Sequence, residues 1–214
     1  VERQKKIEIS LVEKDYWIMH VLHGLQQGGV TFQLKGGTSL SKGYGIVYRF
    51  SEDIDIRIEP PANMDVKTGP NHIKPDHCAS RKKYYDWLAK EIKIDGIQKI
   101  IRDPEFDNEK YFSGGIRLFY KSAFPVTGGI KEGVLLEVGF DEVTPNSPMD
   151  ISSWALDFAL QNRLKVKDNR APSVLCYHPG YTFVEKLQTI ATKFRKQPET
   201  GNMPANFIRP YYDV

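Results

Sequence analysis

The chain has 214 residues, 40% of them hydrophobic and 27% charged, with 11 Phe, 11 Tyr and 3 Trp. That length can bury a substantial core without disulfides or a structural metal, and that composition excludes a mostly disordered chain. The 30 basic and 27 acidic residues leave a net charge of +3, too small to mark a nucleic-acid binder by itself. No apolar run approaches ~18 residues, so no membrane-spanning helix is expected. No signal peptide is expected either, since no charged segment precedes an apolar stretch with a cleavage site. Cys78 and Cys176 stand outside any C-x-x-C pair and read as free thiols of a reducing, cytoplasmic protein.

The first element predicted is a helix from about Ser10 to Leu25, with Leu11, Ile18, Val21, Leu22 and Leu25 at helical spacing. Ser10 and Glu13 fit a capping box at its start, and Gly28-Gly29 ends it. Val30 to Leu34 reads as a strand, and Lys35-Gly36-Gly37-Thr38-Ser39-Leu40 as a tight turn opening a short helix. Asp53-Ile54-Asp55-Ile56-Arg57-Ile58 alternates strictly, with three Ile on one face and Asp53, Asp55 and Arg57 on the other. Residues 60–78 read as a loop and 80–94 as a helix with Tyr84, Trp87 and Leu88 on its apolar stripe. Tyr111–Tyr120 and Val134–Phe140 read as antiparallel strands joined through the turn-prone stretch Pro125–Gly133. Thr144-Pro145-Asn146-Ser147-Pro148 marks the expected boundary between a domain of residues 1–150 and a helical region of residues 151–214. The clearest piece of the latter is Thr182 to Arg195, with Phe183, Leu187, Ile190 and Phe194 at core spacing.

Asp53 and Asp55 carry the chemistry. Carboxylates at i and i+2 of a strand sit side by side, roughly 6–7 Å apart, and can grip divalent cations from one side. A metal pair in turn can activate a hydroxyl and stabilise the leaving oxygens of an in-line displacement. A bare D-x-D also occurs on exposed strands with no such role. Its neighbourhood sharpens the reading: Gly36 and Gly37 let backbone N–H groups approach an anion, and the Thr38 and Ser39 hydroxyls can donate to phosphate. Glu137, an acid inside the apolar run Val134–Phe140, needs a partner if buried and is either a third acid of the site or an edge-strand carboxylate in solvent. Lys186 is expected opposite Phe183, Leu187 and Ile190, facing either water or the cleft. Arg49 reaches phosphates or pairs with Glu52.

Two other clusters are weaker. His72, His77 and Cys78, even with His178, match no standard zinc spacing. Arg81-Lys82-Lys83-Tyr84-Tyr85 mixes basic and aromatic residues as RNA-binding segments do, but half of it is expected to face the core.

The order of these motifs resembles nucleotidyltransferase toxins of the AbiEii/AbiGii type, within the polymerase β-like superfamily. The stretches that carry the resemblance are Glu13-Lys14-Asp15-Tyr16, Leu34-Lys35-Gly36-Gly37-Thr38-Ser39-Leu40-Ser41-Lys42, Arg49-Phe50-Ser51-Glu52-Asp53-Ile54-Asp55, Val184-Glu185-Lys186-Leu187 and Arg209-Pro210-Tyr211-Tyr212-Asp213-Val214. The resemblance implies an α+β fold: a polymerase β-like core with a mixed sheet flanked by helices, then a mostly helical C-terminal part. It implies transfer of a nucleotide from an NTP with Mg²⁺, two ions being expected, to an RNA acceptor such as tRNA. It also implies a cognate antitoxin partner in a toxin–antitoxin or phage-defence system. Gly36, Gly37, Thr38, Ser39, Arg49 and Ser51 would then surround the nucleotide, Asp53 and Asp55 would hold metal, Lys186 would contact phosphates and Asp213 would be a late catalytic acid. Glu137 joins the metal ligands by strand logic alone. Two alternatives stand beside this reading: transfer to a small-molecule or protein hydroxyl, and an NTP-binding partner module without catalysis.

Overall fold

The computed structural model describes residues 7–125, 129–200 and 208–214, with backbone alone for 197–200 and 209. Its element order is α1 (Ile9–Gln27), β1 (Phe32–Lys35), a short helical turn Gly36–Thr38 continuing as a π-helical turn Ser39–Gly43, β2 (Asp53–Ile58), α2 (Pro75–Glu91), β3 (Ile97–Asp103), β4 (Ser113–Tyr120), β5 (Val134–Gly139), β6 (Asn146–Ile151), α3 (Trp154–Gln161), β7 (Ala171–Tyr177), α4 (Pro179–Thr200) and α5 (Arg209–Asp213).

The strands form one mixed sheet in the order β3-β4-β5-β2-β1-β7-β6. β2 runs parallel to β5 and β1 parallel to β7, while the other neighbours are antiparallel. One face of the sheet is apolar. Leu34, Ile54, Ile56, Ile58, Ile116, Leu118, Leu136 and Val138 are buried there against Ile18, Leu22 and Leu25 of α1 and Tyr84, Tyr85 and Leu88 of α2. Each such side chain contributes about 1.5–3 kcal/mol by leaving water, so this face anchors the register of every central strand. The alternation in β2 therefore commits its other face to Asp53, Asp55 and Arg57.

Several boundaries differ from the sequence expectation. α1 begins at Ile9 after Glu8, with no side-chain cap, and Ser10 lies buried inside the helix. Glu13 bonds the Ser122 hydroxyl at 2.6 Å and the Ala123 N–H at 2.8 Å instead of closing a capping box. α2 starts at Pro75, inside the expected loop, because proline suits a first helical turn whose N–H groups lack partners. β3, β6 and β7 have no counterpart in the sequence reading: pairing with β4 makes β3 a strand, β6 runs across the expected boundary, and β7, inside the expected helical region, joins the sheet between β1 and β6. The β4–β5 pairing is antiparallel as expected, and residues 126–128 of the turn between them lie outside the described residues.

The largest difference is α4. Phe183 and Leu187 are each 42% exposed and Phe194 is 61% exposed, so the stripe expected in a core faces outward. The main packing partner of α4 among the described residues is the short α5, which is too small to cover that stripe. Among the described residues no helix is long and apolar enough to cross a membrane.

Candidate active site

The polar face of the sheet carries the acids in register. Lys35 of β1 stands opposite Asp55 of β2, and Asp55 stands beside Glu137 of β5. Paired residues of neighbouring strands project to the same side, so Lys35, Asp55 and Glu137 form one cross-strand row. Asp53 lies two residues back along β2 on the same face, buried to 6% exposure. Asp53 and Asp55 are therefore neighbours on one side of the sheet. Among the described residues no three His, Cys, Asp or Glu side chains gather closely enough to cage a metal by themselves.

The Gly36–Ser39 turn continues straight out of β1 and folds against the start of β2. Gly36 takes φ +67°, a left-handed conformation that glycine adopts freely, and a side chain there would run into the Asp55 carboxylate. A Cβ on Gly37 would stand 2.5 Å from Nη2 of Arg49 and 3.0 Å from the Ser51 hydroxyl. Thr38 and Ser39 are fully buried. The Thr38 hydroxyl bonds the Ser51 hydroxyl at 3.0 Å and the Asp53 carbonyl, and the Ser39 hydroxyl donates to the Tyr177 carbonyl at 3.4 Å. Both hydroxyls thus brace the turn against β2 and β7, which leaves phosphate contact at this turn to its backbone N–H groups.

Arg49 does not pair with Glu52. Its guanidinium makes a two-pronged pair with Asp213, Nε to Oδ1 at 2.5 Å and Nη2 to Oδ2 at 2.8 Å. Lys186 of α4 places its ammonium 3.3 Å from the same Oδ2. The Asp213 side chain is wholly buried between these two cations. Burial would raise its pKa, but the Arg49 hydrogen bonds and charge, together with Lys186, hold the carboxyl below its usual value. Three segments far apart in sequence thus meet beside the glycine turn, and Lys186 is drawn to a carboxylate, not to bulk water.

The structure also brings in residues that motif reading quoted without a role. Lys14, 1% exposed, donates to the Lys131 carbonyl at 2.5 Å and lies 3.9 Å from Glu52, next to Asp53 in sequence. Burial lowers its pKa to about 8 against the pull of Glu52 and Asp53. The neighbouring Asp15 takes a 2.6 Å ion pair from Lys42, in the π-helical turn after Ser39, and accepts the Trp154 N–H at 2.8 Å. Adjacent residues of α1 thus tie down both the start of the acid-bearing strand and the end of the glycine turn. A K-D pair inside an otherwise apolar helical stripe was the available signal, because buried charges require partners.

The histidines do not form a metal site. The His72 and His77 rings touch edge to face at 4.8 Å, but His72 Nδ1 accepts the Gly69 N–H, and His178 Nδ1 accepts the Gly180 N–H. Arg81 is buried and spends its guanidinium on the Lys110, Lys67 and His72 carbonyls, and Tyr84 and Tyr85 are core.

No curated protein and no solved structure matches the chain. A family model described as nucleotidyl transferase AbiEii toxin, type IV TA system, matches residues 21–214, from within α1 to the end of α5, and so takes in the glycine turn, the acid row and the Arg49–Asp213–Lys186 cluster. The chain belongs to the AbiEii family of nucleotidyl transferase toxins of type IV toxin–antitoxin systems.

Proposed function

We propose that the protein transfers a nucleotide from Mg²⁺-bound NTP to the terminal hydroxyl of an RNA, with tRNA as the acceptor class, on a polymerase β-like core. The observation that carries this reading is the convergence of Arg49, Lys186 and Asp213 beside the Gly36–Ser39 turn, on the same side as Asp53 and Asp55. The acids form an all-oxygen donor set, which suits Mg²⁺. Mg²⁺ keeps several waters and takes only one or two carboxylates alongside substrate phosphates, so a cage of three side chains is not required. Asp53 and Asp55 would hold it, with Glu137 beside them. When bound, the ion supplies Lewis-acid stabilisation of the phosphoryl oxygens.

The chain's own groups divide the remaining tasks. Backbone N–H groups of Gly36 and Gly37 cradle the outer phosphates, and the Thr38, Ser39 and Ser51 side chains hold that turn in shape. Arg49 and Lys186 neutralise charge that builds on the leaving pyrophosphate. Asp213 holds the two cations in place until the nucleotide arrives. The acceptor oxygen bonds to the α-phosphorus as the bond to the bridging oxygen of pyrophosphate breaks, and the hydroxyl proton passes to the Asp55–Glu137 pair. The reaction would run in the cytoplasm, where NTP and RNA are plentiful, under the control of a cognate antitoxin.

The test is incubation with each α-labelled NTP, Mg²⁺ and total RNA. Label in an RNA of tRNA size is the expected result. Absence of labelled RNA with all four NTPs would overturn the acceptor reading.

A further inference from the structure

A groove of about 550 Å³ opens on the polar face of the sheet, lined by Gln33 of β1, Arg57 of β2, Phe112, Phe140, Glu59 and the stretch from Asp141 to Thr144. Its floor is the next cross-strand row beyond the acids, because Gln33 stands opposite Arg57 and Arg57 beside Gly139. Two residues of strand separate the rows, roughly 6–7 Å. The direction matters. The glycine turn lies on the other side of Asp55, where Thr38 bonds Ser51 and the Asp53 carbonyl. An in-line displacement puts the attacking oxygen opposite the leaving group. With pyrophosphate on the glycine turn and the α-phosphate over the acids, the attacker arrives from the Gln33–Arg57 side.

The lining chemistry fits a terminal nucleoside and rejects a triphosphate. Arg57 pairs with Glu59 at 2.5 Å and Lys35 with Asp141 at 2.8 Å, so Glu142 leaves the groove with one excess negative charge and, among the described residues, no cation free to gather a dense polyanion. The same carboxylates accept hydrogen bonds from ribose hydroxyls and base amino groups. Gln33 lines the groove beside Arg57, and its side-chain oxygen is buried with no hydrogen-bond partner among the described residues. Phe112 and Phe140 border the groove where their strands end, with their rings packed toward α2: the Arg81 guanidinium lies 4.0 Å from the Phe112 ring, and Tyr84 and Tyr85 pack on Phe140 at 6.0 and 5.5 Å. Gly139 leaves the floor open, and Lys35, bonded to Asp141 at 2.8 Å, stands between groove and acids.

We infer that this groove is the acceptor subsite, which seats the terminal nucleoside of the RNA so that its hydroxyl meets the α-phosphate at Asp55. The inference rests on the RNA-acceptor reading above. A Cβ at Gly139 would meet its neighbours no closer than 3.5 Å, so the position accepts a side-chain stem, and Gly139→Val adds bulk to the floor. Gln33→Ala and Arg57→Ala remove polar contacts, and keep the test open should the valine variant fail to fold.

The experiment measures KM for tRNA in labelled transfer, and Kd for Mg–NTP without RNA by equilibrium dialysis. The expected result is a KM for tRNA raised by about tenfold or more in Gly139→Val and in at least one alanine variant, with Kd for NTP unchanged. If the wild type labels RNA and the variants keep its KM within about twofold, the groove is not the acceptor subsite while the RNA reading stands. Equal weakening of NTP binding would assign the groove to the donor base and overturn the proposal. A wild type that labels no RNA would bring down the acceptor reading and this subsite with it.

Discussion

The two sides of the candidate site are built by different means. Asp53, Asp55 and Glu137 sit on adjacent central strands whose backbone ladders and buried Ile and Leu residues hold them in register. Arg49, Lys186 and Asp213 sit on a loop and two helices, and α4 buries little of its apolar stripe. One side is therefore held by the sheet whatever the acids do; the other is held largely by its own ion contacts. Removing an acid should cost chemistry alone, whereas removing Arg49 or Asp213 should cost chemistry and docking together.

The largest effect is expected at the sheet. Asp53→Asn and Asp55→Asn should lower transfer by about 10³-fold or more, since in the proposed mechanism each removes a charge that holds the metal at the phosphoryl group. Thermal unfolding should register a stability change within about 1 kcal/mol, because no cavity forms. A large fall in Tm in either variant would erase the contrast between the two sides.

Lys186→Ala is expected to slow transfer by on the order of 10²-fold while the two-pronged Arg49–Asp213 pair keeps α5 in place. Arg49→Ala should do both: transfer falls, and amide exchange in α5 accelerates by about tenfold or more, since Asp213 is left buried with one partner. Unaltered exchange in Arg49→Ala would mean that α5 is held by something other than this pair.

Acid should separate the sides as well. The folded pKa of Asp213 lies below its ordinary value, so its contribution to stability is present above the usual carboxylate range and is lost as pH falls through the folded value. Loss of α5 protection before loss of the sheet signal during acid titration is the expected order. Lys14 acts with the opposite sign. Its folded pKa of about 8 lies below that of the unfolded chain, so the unfolded state binds more protons between about pH 8 and 10.5. Stability should rise with pH across that window, by up to about 3 kcal/mol, and Lys14→Met should flatten the rise. The smallest effect concerns Cys176: burial pushes its thiol up to about 11, so it should resist alkylation near neutral pH until the sheet opens.

The sequence by itself determined the features whose cause is local. Alternation of Ile with Asp and Arg in residues 53–58 makes a strand with both aspartates on one face, because successive side chains point to opposite sides. Gly36 and Gly37 after an apolar strand specify a turn no bulkier residue could make beside Asp55 and Arg49. Glu137 marks the polar side of an otherwise apolar strand, and parallel pairing of β2 with β5 sets it beside Asp55. What covers what was a tertiary decision. The helical spacing of Phe183, Leu187 and Phe194 is the same whether a helix is buried or bare, and only the neighbours of α4 decide that its stripe is exposed. The partner of Arg49 is 164 positions away, and two hydroxyls expected to face phosphate turn inward because β2 and β7 offer carbonyls within reach. Spacing sets the direction of a side chain from its own backbone. The chain packed against that direction is set by long-range closure, which no local pattern encodes.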